Sequence, residues 1–111
     1  MNYTQLTGDI SKQLGKLRKT NNEAYAGFSS MAKACHKDGA LSAKTKELIA
    51  TAIAIANRCD GCIGFHVKTL QQLGTTYEEF IEICDVAMYM GGGPSVMTAA
   101  EAMQAWEEFS K

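Results

Sequence analysis

The chain has 111 residues and a net charge of −1, with acidic and basic residues interspersed. That leaves room for one domain, residues 1–111, and argues against a nucleic-acid footprint or a polybasic membrane patch. Met1-Asn2-Tyr3-Thr4-Gln5 shows no charged leader before an apolar run, and the longest apolar stretch, Ile49 to Ala56, is far too short to span a bilayer. The expectation is a cytoplasmic protein with neither nucleic acid nor membrane as partner.

The hydrophobic period is helical almost throughout. Leu6, Ile10, Leu14 and Leu17 recur at three- and four-residue steps and mark an amphipathic first helix, which Asn21-Asn22 breaks. A second helix from about Glu23 to Cys35 carries Ala24, Phe28, Met31 and Cys35 on one face, and Lys37-Asp38-Gly39 reads as a turn. Ser42 suits the N-cap of a third helix, Ala43 to Ala56, whose apolar residues cover most of its circumference and predict a central position. Asn57-Arg58 ends it. A fourth helix opens around Cys59 and runs to Leu73, with Gly74 as its C′ residue. Thr76 followed by Glu79 predicts a capping box for a fifth helix through Met90. Gly91-Gly92-Gly93 is expected to turn, and Pro94 suits the first position of a last helix ending near Phe109. The predicted fold is all-α, a bundle of five or six helices in a single domain.

Of four cysteines, Cys35 and Cys84 stand alone while Cys59-Asp60-Gly61-Cys62 forms a C-x-x-C pair. In a reducing compartment such a pair is more often catalytic or metal-binding than a staple. At a helix start the unpaired N–H groups and the positive end of the dipole stabilise a thiolate, and two sulfurs three residues apart can close a disulfide. Cys62 and His66 are four residues apart, on one helix face, so the imidazole can take the Cys62 proton. If the third and fourth helices fold back antiparallel around Asn57, Glu47 comes alongside nearer to His66 than to the turn. A carboxylate there orients the imidazole and raises its basicity.

Plainer readings attach to each residue. A C-x-x-C can be half of a zinc site, but a second ligand pair is missing: Cys35-His36 is adjacent and Cys84 isolated. A thioredoxin-like domain needs a βαβ context that the pattern lacks. Cys35 and Cys84 lie on apolar faces and read as small core residues, and His36 reads as a surface turn residue. Met88, Met90, Met97 and Met103 read as core or subunit contacts. The glycine run lacks the lysine and Ser/Thr of a phosphate loop.

Glu47, eleven residues, Cys59-Asp60-Gly61-Cys62, three residues and His66 together resemble the motif of the alkyl hydroperoxidase D-like branch of the carboxymuconolactone decarboxylase family. The flanking Ser42-Ala43-Lys44-Thr45-Lys46-Glu47-Leu48-Ile49, Leu73-Gly74-Thr75-Thr76-Tyr77-Glu78-Glu79-Phe80 and Met88-Tyr89-Met90-Gly91-Gly92-Gly93-Pro94 agree, so the likeness runs from about Tyr25 to Ala105. The resemblance implies an all-helical fold assembled as a trimer or hexamer. It implies that Cys62 is the peroxidatic nucleophile, that Cys59 is the resolving residue exposed to the reductant, and that Glu47 and His66 form a proton relay. It also implies a dithiol reductant, such as a lipoylated protein. The best-known member carries a histidine immediately before its second cysteine, where this chain has Gly61. The sister branch that decarboxylates lactone acids typically lacks the cysteine pair.

The expected activity is a thiol-dependent peroxidase using Cys59 and Cys62, with no metal or organic cofactor. Reduction of protein or small disulfides by the same pair is the alternative. A decarboxylase-like lyase and a non-catalytic assembly module are weaker ones.

Overall fold

The structure, a computed structural model, describes residues 2–20 and 22–111. Six helices follow one another, α1 (Tyr3–Thr20), α2 (Asn22–Cys35), α3 (Ala43–Ala56), α4 (Asp60–Gln72), α5 (Tyr77–Gly91) and α6 (Gly93–Phe109), and the described residues contain no strand. Of the expected break at Asn21-Asn22, Asn21 lies outside the described residues, and α2 is already under way at Asn22.

α3 packs against α4, α5 and α6, as its apolar circumference demands. Around it the core closes on Ile55, Ile63, Val67, Leu70 and Phe80, each fully buried and each stabilising the fold by about 1.5–3 kcal/mol. α6 contributes mainly small residues: Ala99, Ala102 and Ala105 recur every three positions and are buried, so its neighbours approach closely. Bulk returns at the far end, where Phe80 stacks on Trp106 with centroids 4.8 Å apart. No helix among the described residues is long and apolar enough to cross a membrane.

Local signals set most of the helix ends. Ser42 accepts from Thr45 N–H at 3.1 Å. Thr76 and Glu79 form a reciprocal capping box, with bonds of 3.1 and 2.9 Å. Gly74 takes a φ of +78° after α4. The glycine run is tighter than the expected three-residue turn. α5 continues through Gly91 and α6 begins at Gly93, so Gly92 alone, at φ +75°, reverses the chain.

Two features of α2 depart from expectation. Its apolar face is not covered by the rest of the chain: Phe28 and Met31 are 64% and 59% exposed. Cys35, expected in the core, is also exposed, because α2 packs chiefly on α1 and stands off the α3–α6 bundle. Cys84, in contrast, is buried as expected. The methionines divide, with Met88 and Met103 against the core and Met90 and Met97 exposed.

Candidate redox site

The site grows from the α3–α4 hairpin. Asn57 caps α3, and Arg58 adopts a φ of +56°, a left-handed conformation uncommon for a residue with a side chain. Arg58 N–H donates to Ile55 O at 3.1 Å, and Cys59 N–H donates back to Ala54 O at 3.1 Å. This six-to-one closure reverses the chain at once and delivers Cys59 to the N-cap of α4.

Cys59 Sγ accepts the N–H of Cys62 at 3.2 Å, the bond that a serine hydroxyl makes at an ordinary N-cap. The two sulfurs are joined in a disulfide, with their Cα atoms 5.2 Å apart. Cys59 at the N-cap and Cys62 in the first turn thus lie at the start of α4, where free N–H groups and the helix dipole favour negative charge on sulfur once the bond is reduced. Cys62 is exposed and Cys59 only partly so. This order is opposite to the one the resemblance implied, and it follows from the N-cap position, which folds the Cys59 side chain back over the helix start.

α1 covers the other side of this turn. A Cβ on Gly61 would lie 2.7 Å from Ile10 Cδ1, and one on Gly64 would lie 2.5 Å from Thr7 Cγ2 and 3.3 Å from Tyr3 Cδ1. The glycine before Cys62 is thus matched to the α1 side chains laid over it, and a histidine side chain there would have to displace Ile10.

Four residues after Cys62, His66 is half-buried, and its Nδ1–H donates to Oε1 of Glu47. The antiparallel hairpin brings the two together across 19 residues of sequence, as expected from the turn at Asn57. Glu47 is buried, with 2% of its side chain exposed. A carboxylate so far from water needs partners that satisfy its charge. Its second oxygen has one that sequence reasoning missed: His36 Nε2 stands 3.4 Å from Glu47 Oε2. Read as a plain turn residue, His36 is exposed but reaches back to the buried carboxylate. The adjacency of Cys35-His36 to a turn was the only signal, and it does not say where the turn folds.

Burial pushes the Cys84 thiol up to about 12, so it stays protonated and apart from this chemistry. Among the described residues, no group of three or more His, Cys, Asp or Glu side chains is arranged to hold a metal ion.

Residues 22–105 match the carboxymuconolactone decarboxylase family. An uncharacterized protein from Cupriavidus necator is 38% identical over 100 residues, covering 90% of this chain and 88% of the relative. Another, from the cox locus of Paracoccus denitrificans, is 34% identical over 98 residues, 88% of each chain. Among solved structures, a carboxymuconolactone decarboxylase family protein from Legionella pneumophila has a TM-score of 0.95 at 58% identity, over 98% of this chain and 97% of that one. A family protein from Thermotoga maritima, for which involvement in the antioxidative response has been suggested, has a TM-score of 0.85 at 27% identity, over 94% of this chain and 89% of that one. With its family-wide helical fold and a C-x-x-C pair consistent with the alkyl hydroperoxidase D-like branch, the chain belongs to the carboxymuconolactone decarboxylase family.

Proposed function

We propose that the protein is a thiol-dependent peroxidase of a reducing cytoplasm, working through Cys62, Cys59, His66 and Glu47. The observation that carries this reading is the Cys59–Cys62 disulfide at the start of α4, one turn from an imidazole bound to a buried carboxylate. The family includes decarboxylases, and the cysteine pair is what weighs toward redox chemistry here.

In the reduced protein His66 takes the Cys62 proton, and Glu47 stabilises the imidazolium. The thiolate attacks one peroxide oxygen. A sulfur–oxygen bond forms, the oxygen–oxygen bond breaks, and the leaving alkoxide takes the proton from His66 to depart as alcohol, or as water from hydrogen peroxide. Cys59 then displaces hydroxide from the Cys62 sulfenic acid, water leaves with the Cys59 proton, and the disulfide forms. An external dithiol, such as a lipoylated protein, restores both thiols and is itself oxidised to a disulfide.

A second reading, reduction of protein or small disulfides by the same pair, is favoured by the exposure of Cys62, which leaves room for a larger partner. Peroxide consumption with a dithiol reductant, beside reduction of an aromatic disulfide, tests both. Cys62→Ser is expected to abolish peroxide turnover, and Glu47→Gln to slow it by about 10²-fold or more. Full peroxide activity in Cys62→Ser would refute the proposal, and disulfide turnover without peroxide turnover would select the second reading.

We further propose a homo-oligomer, a trimer or hexamer. Support comes from an open groove of about 550 Å³ whose lining includes the exposed Ile49, Ile53, Val86 and Met90. Apolar patches of this kind on one chain suit contact with another copy.

A further inference from the structure

Glu47 uses both of its carboxylate oxygens on histidines, one from α4 and one from the α2–α3 connection. The two differ in their access to water: His66 is 31% exposed and His36 is 56% exposed. A carboxylate that is 2% exposed meets bulk solvent only through what it touches, and His36 is its wetter neighbour.

The approach of His36 is held in place. Its N–H donates to Ala32 O at 3.1 Å, extending the α2 pattern by one residue. Beyond it, Lys46 Nζ donates to Lys37 O at 2.7 Å, and Ala43 N–H donates to Asp38 Oδ1 at 2.7 Å. Both bonds tie the connection to the first turns of α3, the helix that carries Glu47. The loop therefore brings the imidazole over the carboxylate by a braced path.

α3 presents Glu47, with Lys46 bound to the loop backbone and Lys44 paired to Glu79 at 2.8 Å. α4 presents His66 through the shared carboxylate. The loop itself carries Cys35, Lys37 and Asp38, the last engaged at Ala43.

We infer that His36 is a positioning residue for the redox pair: as the solvent-facing second partner of Glu47, it sets how much of the carboxylate's charge is available to His66. With His36 neutral, Glu47 supports His66 fully as it takes the Cys62 proton. When His36 binds a proton from water, its cation draws on the same carboxylate and opposes a second cation at His66. No bond changes at His36 except to the proton it exchanges with water. The inference rests on the reading of Cys62 as the activated thiol.

The test is the pH profile of Cys62 alkylation by iodoacetamide in the reduced full-length chain. Cys59→Ser serves as the background, since a serine hydroxyl keeps the N-cap acceptor and leaves one thiol in the tryptic peptide 59–68. In that background the rate is expected to fall below neutrality, because a proton bound at His36 sends the one on His66 back to Cys62. Adding His36→Gln should raise the rate at about pH 5.5, relative to that at about pH 8, about two- to fivefold. Adding His36→Lys should fix the cation and lower the rate by a similar factor up to neutral pH.

Superimposable profiles for the background and His36→Gln would overturn the inference, as would a uniform loss at every pH, which marks a purely structural contact. If Cys62 in the background reacts as an ordinary thiol, the peroxidase reading falls, and the role of His36 falls with it.

Discussion

Glu108 accepts the backbone N–H of Tyr3 at 3.0 Å, so the last turn of α6 caps the first turn of α1. Its other oxygen accepts from Thr4 N–H at 2.9 Å and from the Thr4 hydroxyl at 3.0 Å. These are free N–H groups of a helix start, satisfied by a side chain from the opposite end of the chain. The bonds to the Tyr3 and Thr4 backbone hold the Glu108 carboxyl below the usual carboxylate range. They favour the ionised form, so their stabilisation is full above the ordinary value of about 4.3 and is lost as pH falls through the depressed one. Glu108→Gln is expected to lower Tm near neutral pH and to shrink the Tm loss on acidification. Equal melting of variant and parent at both pH values would remove the cap from the account.

Gly64 is where α1 and α4 meet most closely. Alanine there gains helix propensity of about 1 kcal/mol. However, its methyl would lie 2.5 Å from Thr7 Cγ2, and the Thr7 hydroxyl is held to Tyr3 O at 2.8 Å. The net effect expected is destabilisation of about 1–3 kcal/mol in denaturant unfolding. Thr7→Ser, which removes Cγ2 and keeps the hydroxyl, should recover much of it. Gly61→Ala should cost less, because the atom it meets is the terminal methyl of Ile10.

The two unpaired cysteines should behave oppositely. In the reduced protein near pH 8, Cys35 is expected to react promptly with iodoacetamide, and Cys84 only after unfolding. Burial raises the Cys84 thiol to about 12, so the folded chain keeps a proton that the unfolded chain loses from about pH 8.5. Its contribution to stability therefore declines as pH rises above that point. Labelling of both thiols at one rate in the native state would contradict the burial.

The proposed self-association would use the α3–α5 groove. Sedimentation should find the protein larger than the 12.0 kDa chain. Ile53→Glu, at an exposed position in that groove, should shift it to the single chain while preserving helix content. A parent protein that sediments as a single chain would refute the assembly.

Much of the fold could be read locally. Ser42, Thr76 with Glu79, and Gly74 are caps whose geometry needs only the neighbouring turn, and they sit where the pattern put them. The Glu47–His66 contact was legible for a related reason: two helices joined by a short reversal leave few choices of facing residues. His36 was not, because its contact depends on a loop path fixed by Asp38 and Lys46 side chains, which no periodicity encodes. The apolar face of α2 was legible as a face, but a pattern does not say what covers it, and Phe28 and Met31 point away from the bundle.

The cysteine bridge spans a sequence separation of 3. Closing so small a ring restricts the unfolded chain by only about 2 kcal/mol, against roughly 4.7 for a ring of a hundred residues. Folded domains hold about 5–15 kcal/mol in reserve. On the proposed reading, the pair would gain and lose electrons with little effect on the stability of the scaffold around it. The reduced protein is therefore expected to keep the architecture of the oxidised one.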